Sequence, residues 1–72
     1  MKIKFKNIGK GHWRGEISKP DTNDQKIICD YAVTEALKHL PAKTPELSYD
    51  VDKMYGEFFI EGKNVGNFWV VK

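Results

Sequence analysis

Residues 22–41 read TNDQKIICDYAVTEALKHLP, and this stretch predicts the helix around which the fold is organised. Thr22 and Gln25 have the spacing of a capping box, in which two side chains satisfy each other's free backbone N–H groups. Pro41 disfavours helical geometry at the residue before it, so the helix should end at about Leu40. At about 100° per residue, one broad face of the helix is apolar. Its members are Ile28, Cys29, Ala32, Val33, Ala36, Leu37 and Leu40.

Two strands are predicted before this helix, because apolar and polar residues alternate there with the period of a half-buried strand. Residues 2–8 alternate lysines with Ile3 and Phe5, and residues 12–18 alternate in the same way. Gly9 and Gly11 lie between the two segments. They predict a hairpin with a short loop.

Three further strands are predicted after the helix and the loop at residues 41–45. Leu47, Tyr49 and Val51 alternate with polar residues, most of them acidic. Residues 55–61 and 65–72 are rich in aromatic and β-branched residues, and residues 62–64 between them predict a hairpin loop. With a three-residue loop one face carries Phe58, Ile60, Phe68 and Val70, and the other carries Tyr55, Phe59, Val65, Trp69 and Val71. A two-residue loop would shift this register.

The predicted order is therefore β-β-α-β-β-β, which indicates an α+β fold with a mostly antiparallel sheet of about five strands. With 72 residues, the chain has room for a single small domain, residues 1–72. One helix covers one face of a sheet, so the other face should be solvated. The expected core is Ile3, Phe5, Trp13, Ile17, Ala32, Val33, Ala36, Phe58, Ile60, Phe68 and Val70.

The charge is distributed unevenly along a chain whose net charge is only +2. Residues 1–19 contain Glu16 as their one acid among several bases, whereas residues 46–61 contain Lys53 as their one base among several acids. A basic stripe survives only if the acidic strand lies far from the first strand. Strand order, which the sequence does not provide, therefore bears directly on function.

The cysteine content and the apolar pattern favour a reducing, intracellular location. Cys29 is the only cysteine, so the chain has no internal disulfide. No stretch approaches the roughly 20 apolar residues of a membrane span. We therefore expect a cytoplasmic protein that is not embedded in a membrane.

The candidate catalytic and metal-binding residues are poor. Cys29 lies on the apolar helix face, where an inert core thiol is expected. His39 suits the end of the helix, where a protonated ring caps the dipole, and His12 lies near a strand start. The histidines and the cysteine lack zinc-site spacing, the GKG at residues 9–11 lacks Walker spacing, and the late acids fit a solvated face. We expect no catalytic residue, no cofactor and no metal, hence no enzyme.

Two surfaces are candidates for binding. Large aromatic residues on the solvated sheet face resemble the anchors of protein interfaces, and an apolar pair lies on the helix away from the core. The candidate protein-binding residues are Ile27, Tyr31, Tyr55, Phe59 and Trp69. Cations beside aromatic rings also suit single-stranded nucleic acid, although edge lysines often only block aggregation. The candidate nucleic-acid-binding residues are Lys2, Lys4, Lys6, Lys10 and Arg14.

The sequence thus favours a stand-alone protein-binding module, an adaptor or an inhibitor of a larger macromolecule, of the kind that phages and mobile elements encode as small accessory proteins. A second copy of the chain is a further candidate for covering the aromatic sheet face. The alternative is a weak nucleic-acid-binding protein that uses the basic amino-terminal hairpin and the sheet aromatics. A hydrolytic enzyme ranks third.

Overall fold

A computed structural model describes residues 1–40 and 43–72 of the chain. Its elements are β1 (Lys2–Ile8), β2 (Trp13–Ser18), α1 (Gln25–Ala36), β3 (Glu46–Asp50), β4 (Tyr55–Ile60) and β5 (Lys63–Val71). The strands form one antiparallel sheet in the order β2-β1-β5-β4-β3. The predicted α+β class and element order are confirmed. Pro41 and Ala42, at the start of the predicted loop, lie outside the described residues.

The core lies between α1 and one face of the sheet. Phe68 is its centre, with ring centroids 5.2 Å from Phe58, 6.4 Å from Phe5 and 5.5 Å from Tyr49. Burial of these rings supplies the main stabilisation of so small a domain. The buried set is Ile3, Phe5, Ile8, Ile28, Ala32, Ala36, Phe58, Phe68 and Val70. Most of the predicted core is confirmed, with Trp13, Ile17 and Val33 partly buried against it and Ile60 only half-buried.

The predicted ends of the helix were wrong at both termini. Asp24 is the N-cap, because its carboxylate accepts hydrogen bonds from the backbone N–H groups of Lys26 and Ile27 at 3.0 and 3.4 Å. Thr22 Oγ1 instead accepts from the Asp24 N–H at 3.1 Å. The helix ends at Ala36, and Leu37 is 41% exposed. The narrower apolar face consists of Ile28, Ala32 and Ala36.

A β-bulge in β1 adds a core residue that simple alternation did not identify. Asn7 has φ 58°, and the pairing of β1 with β2 shifts between Phe5 and Ile8. A bulge inserts one extra residue and changes which side the following residues face. Ile8 is consequently fully buried, on the same side as Phe5.

The turn between β4 and β5 differs from the predicted three-residue loop. Ile60 pairs with Lys63, so the connection is a two-residue turn at residues 61 and 62, both with positive φ. A second bulge at Val65 then restores the parity, since Phe58 pairs with Gly66. The face assigned to Phe58, Phe68 and Val70 is therefore right.

A bulge and a turn move two single residues away from their predicted places. Val65, expected on the solvated face, packs partly buried against the core because of the bulge. Val51, expected in the third strand, is exposed in a turn after β3. Asp50 holds that turn through hydrogen bonds that its carboxylate accepts from the N–H groups of Asp52 and Lys53.

Phe58→Ala should lower the free energy of unfolding by about 3 to 5 kcal/mol, because a fully buried aromatic side chain is removed and a cavity remains. Phe59→Ala is the matched control, since Phe59 is the next residue and lies on the opposite, half-exposed side of β4. Denaturant unfolding of both variants measures the difference. Equal losses of stability in the two variants would contradict the register described here.

Gly56→Ala should also destabilise the fold, by about 2 kcal/mol or more, because overpacking forces its neighbours to move. Gly56 pairs with Phe68, and a Cβ at Gly56 would lie 2.1 Å from the Phe68 ring. Gly11→Ala is the control, because a Cβ there meets no atom within 4 Å. Thermal melts compare them, and an unchanged melting temperature for Gly56→Ala would show that the ring does not cover this glycine.

Candidate functional site

The side of the sheet away from α1 carries a continuous array of side chains, which we call the open face. Its residues alternate with the buried ones along each strand, as the pleat requires. The open face consists, strand by strand across the sheet, of Arg14, Glu16 and Ser18 on β2; Lys2, Lys4 and Lys6 on β1; Asn67, Trp69 and Val71 on β5; Tyr55, Glu57 and Phe59 on β4; and Glu46, Ser48 and Asp50 on β3.

Trp69 lies at the centre of the open face, on the middle strand of the sheet. It pairs with Lys4 of β1 on one side and with Tyr55 of β4 on the other. Trp69 is half-buried and Tyr55 is 37% exposed. Phe59 lies further along the same side of β4. The structure thus brings the three aromatic candidates of the sheet onto one surface.

The charges of the open face are segregated on either side of this aromatic centre. The half formed by β1 and β2 carries Lys2, Lys4, Lys6 and Arg14. Its one acid, Glu16, has its Oε2 atom 3.1 Å from Nζ of Lys2.

The half formed by β3 and β4 is acidic, with Glu46, Asp50 and Glu57 on the open face. Glu57 Oε2 accepts a hydrogen bond from Asn64 Nδ2 at 2.9 Å. Because β5 separates β1 from β4, the basic and acidic halves do not neutralise each other across adjacent strands. The open face is therefore bipolar, with an aromatic centre.

A shallow groove runs beside Trp69 over the basic half. Lys4, Arg14, Gly15, Glu16 and Trp69 line it, with Phe5 beneath. An aromatic ring beside cationic side chains can hold a planar or anionic group of a partner. The groove extends the surface that the aromatic centre offers.

The remaining binding candidates lie elsewhere. Lys10 is in the turn between β1 and β2, beside Asn7, His12 and Asn64 at the end of the sheet. Ile27, 40% exposed, and Tyr31 are on α1, behind the sheet. Tyr31 is partly buried against the core, and the Lys19 ammonium lies 4.9 Å from its ring centroid. The sequence candidates therefore divide among separate surfaces.

Cys29 occupies a half-buried position on α1. Burial raises the pKa of its thiol, and the neighbouring Asp30 carboxylate raises it further. Burial also raises the pKa of the Tyr49 hydroxyl, with Cys29 as a second cause. A thiol with a raised pKa is a poor nucleophile at neutral pH, because the thiolate is the reactive species.

The sequence predicts that the ring of His39 caps the end of the helix, but the structure places the ring elsewhere. The ring stacks on Trp13, with centroids 3.7 Å apart and planes at 9°. Its Nε2 atom lies 3.6 Å from Glu35 Oε2 and forms no hydrogen bond within the described part of the chain. The stack instead covers the end of the core, because the ring centroids of Trp13 and the buried Phe5 are 5.4 Å apart.

A metal site and a membrane-spanning helix are both missing from the described part of the chain. Residues 1–40 and 43–72 contain no group of three or more His, Cys, Asp or Glu side chains arranged to hold a metal ion. Nor does the described helix have the length and apolar character needed to cross a membrane. Comparison of the chain with protein-family models, curated proteins and solved structures found no match.

Cys29 in the folded protein should react with a thiol reagent much more slowly than in denaturant, because the raised pKa leaves little thiolate at neutral pH. The rate should increase as the pH rises toward that pKa. Titration of native and unfolded protein with a chromogenic disulfide reagent measures both rates. Equal rates in the two states would show that the fold neither shields Cys29 nor raises the pKa of its thiol.

Proposed function

We propose that this chain is a protein-binding module, an adaptor or an inhibitor of a larger protein, that binds its target through the open face. The observation that carries the proposal is the position of Trp69 on the open face, between a basic half and an acidic half. In this proposal the module is an accessory protein of the type that phages and mobile elements encode. The module acts by binding and not by catalysis.

The aromatic centre supplies the binding energy in this proposal. Trp and Tyr side chains dominate the energetics of protein interfaces when they lie near the middle and are surrounded by groups that exclude water. Trp69 and its cross-strand neighbour Tyr55 have that central position, and the charges lie around them.

The charges supply orientation and a faster encounter. A target with an acidic patch opposite Lys4 and Lys6, and a basic patch opposite Glu57, matches both halves at once. A target rotated by half a turn in the plane of the sheet meets like charges. The bipolar pattern therefore favours one docking orientation.

The order of the strands favours a second candidate, weak binding of single-stranded nucleic acid. Lys2, Lys4 and Lys6 lie next to Trp69 and two strands away from β4, so a basic stripe survives. Such a stripe beside aromatic rings suits phosphates and stacked bases. The acids of β3 and β4 repel phosphates on the other side of the rings, and for that reason we place a protein target first.

We also propose the cytoplasm as the site of action. Cys29 is the only cysteine of the chain, and its half-buried thiol is free, which suits a reducing compartment.

Trp69→Ala, in a protein shown by its melting curve to be folded, should weaken binding of the native target by about 2 kcal/mol or more. The measurement is recovery of the target from the native cell by antibody against the untagged protein, with and without nuclease. Recovery with wild type should survive nuclease and disappear with Trp69→Ala. Thr34→Ala on α1 is the control and should retain the target.

The nucleic-acid candidate predicts a different result. Changing Lys2, Lys4 and Lys6 together to Gln should then reduce the salt dependence of single-strand binding. The slope of the logarithm of the binding constant against the logarithm of the salt concentration should become shallower by about 0.7 for each phosphate that the variant no longer neutralises. Changing Lys26, Lys38 and Lys53 to Gln is the matched control. Target recovery abolished by nuclease, together with tight single-strand binding that disappears only in the first triple variant, would overturn the protein-binding proposal.

A further inference from the structure

The charges and aromatic residues of the open face are arranged so that the face complements itself. β5 is the middle strand, and equal numbers of strands lie on either side of it. The cations lie on β1 and β2, and most of the acids lie on β3 and β4. A half-turn about an axis parallel to β5 exchanges these two sides.

We propose that the free chain forms a two-fold dimer in which the open face of one copy covers the open face of the other. This inference rests on the proposed function, in which the open face is a protein-binding surface. The larger target then competes with the second copy for Trp69. Such an interface is isologous, because the same patch serves both copies.

The register of the strands determines which residues face each other. Lys4, Trp69 and Tyr55 form one row across the sheet, and Lys6, Asn67 and Glu57 form the next. An axis parallel to β5 and above Trp69 places each row over the same row of the second copy, reversed. Trp69 then faces Trp69 of the second copy, Lys4 faces Tyr55, and Lys6 faces Glu57.

Each of these contacts is favourable. A lysine over a tyrosine ring is a cation–π contact, Lys6 with Glu57 is an ion pair, and two indoles at the axis bury the largest rings of the face. Each charged contact occurs twice because of the symmetry. A two-fold axis at right angles to the strands would instead place the basic halves over each other, so the charge pattern selects the parallel axis.

One pair in this arrangement has like charges. Glu16 and Asp50 of the second copy lie in the same row at the rim. Glu16 is already paired with Lys2 of its own chain, and the Asp50 carboxylate accepts backbone hydrogen bonds from Asp52 and Lys53. Both acids are exposed, so salt and water screen their repulsion.

The size of the open face indicates a weak dimer. Five strands about 4.8 Å apart, each with about five residues at about 3.4 Å, cover roughly 400 Å² per copy. That area is at the small end of specific interfaces, where association is transient. Two sheets packed face to face lie about 10 Å apart with nearly aligned strands, which leaves room for the indoles at the axis.

The test is analytical ultracentrifugation of the chain over a range of concentrations at low and high salt. Wild type should shift from monomer to dimer with increasing concentration, and salt should weaken the association. Lys6→Glu alone and Glu57→Lys alone should each weaken self-association at least about tenfold, because each variant places like charges opposite each other twice. Lys26→Glu on α1 is the control and should dimerise as wild type does.

The deciding result comes from an equimolar mixture of Lys6→Glu and Glu57→Lys. In the mixture both charged contacts again join opposite charges, so the two variants should form a heterodimer at concentrations where each alone is monomeric. A mixture that stays monomeric overturns the inference, as does a wild-type dimer that neither variant weakens.

The proposed function has its own separate outcome. A wild-type chain that is monomeric at every concentration overturns the dimer, while recovery of a target that depends on Trp69 would leave the protein-binding function standing. A chain that remains monomeric and binds single-stranded oligothymidylate through Trp69 would overturn both. The Lys6→Glu and Glu57→Lys variants change only surface charges and leave Trp69 in place. A thermal melt checks that each variant is folded.

Discussion

The antiparallel pairing of β1 with β5 holds the two ends of the chain together and creates the centre of the sheet. It runs from Lys2 opposite Val71 to Lys6 opposite Asn67. On its inner side Phe5 pairs with Phe68 in the core, and on its outer side Lys4 pairs with Trp69. Without this pairing the β1–β2 hairpin would be a separate two-stranded sheet, which is at best marginally stable in water. The core and the open face therefore depend on the same strand pair.

Much of the fold was predictable because each strand carries its own alternation and the helix its own periodicity. The exceptions lie at the ends of elements, at turns and at bulges, where the alternation or periodicity is interrupted. The helix ends at Ala36, before the predicted Leu40, and the turn that follows carries His39, whose ring stacks on Trp13. The turn between β4 and β5 is one residue shorter than predicted, which would shift the strand register. The bulge at Val65 cancels this shift, so Phe58, Phe68 and Val70 lie on the predicted side of the sheet. Short-range patterns identify the elements, and bulges decide which side a residue takes.

The composition of the candidate site was also predictable, but its arrangement was not. Parity placed Tyr55, Phe59 and Trp69 together, since they occupy the same side of a hairpin. The separation of the basic and acidic halves depends on strand order, and strand order depends on a pairing between residues at opposite ends of the chain. The same cause separates Lys10 at a turn, and Ile27 and Tyr31 on the helix, from the open face. Charge segregation around one tryptophan is the feature that only the folded sheet reveals.

In the function proposed here the open face, and not the helix side, is the surface that meets another protein molecule. Two-dimensional ¹⁵N–¹H NMR spectra of the labelled chain, recorded from dilute to concentrated solution, test this most directly. We predict concentration-dependent shifts at the Trp69 indole and at the backbone amides of Lys6 and Glu57, with Ile27 and Thr34 on α1 unchanged. Shifts centred on α1 would contradict this choice of surface, whereas spectra that do not change with concentration would contradict self-association through the open face.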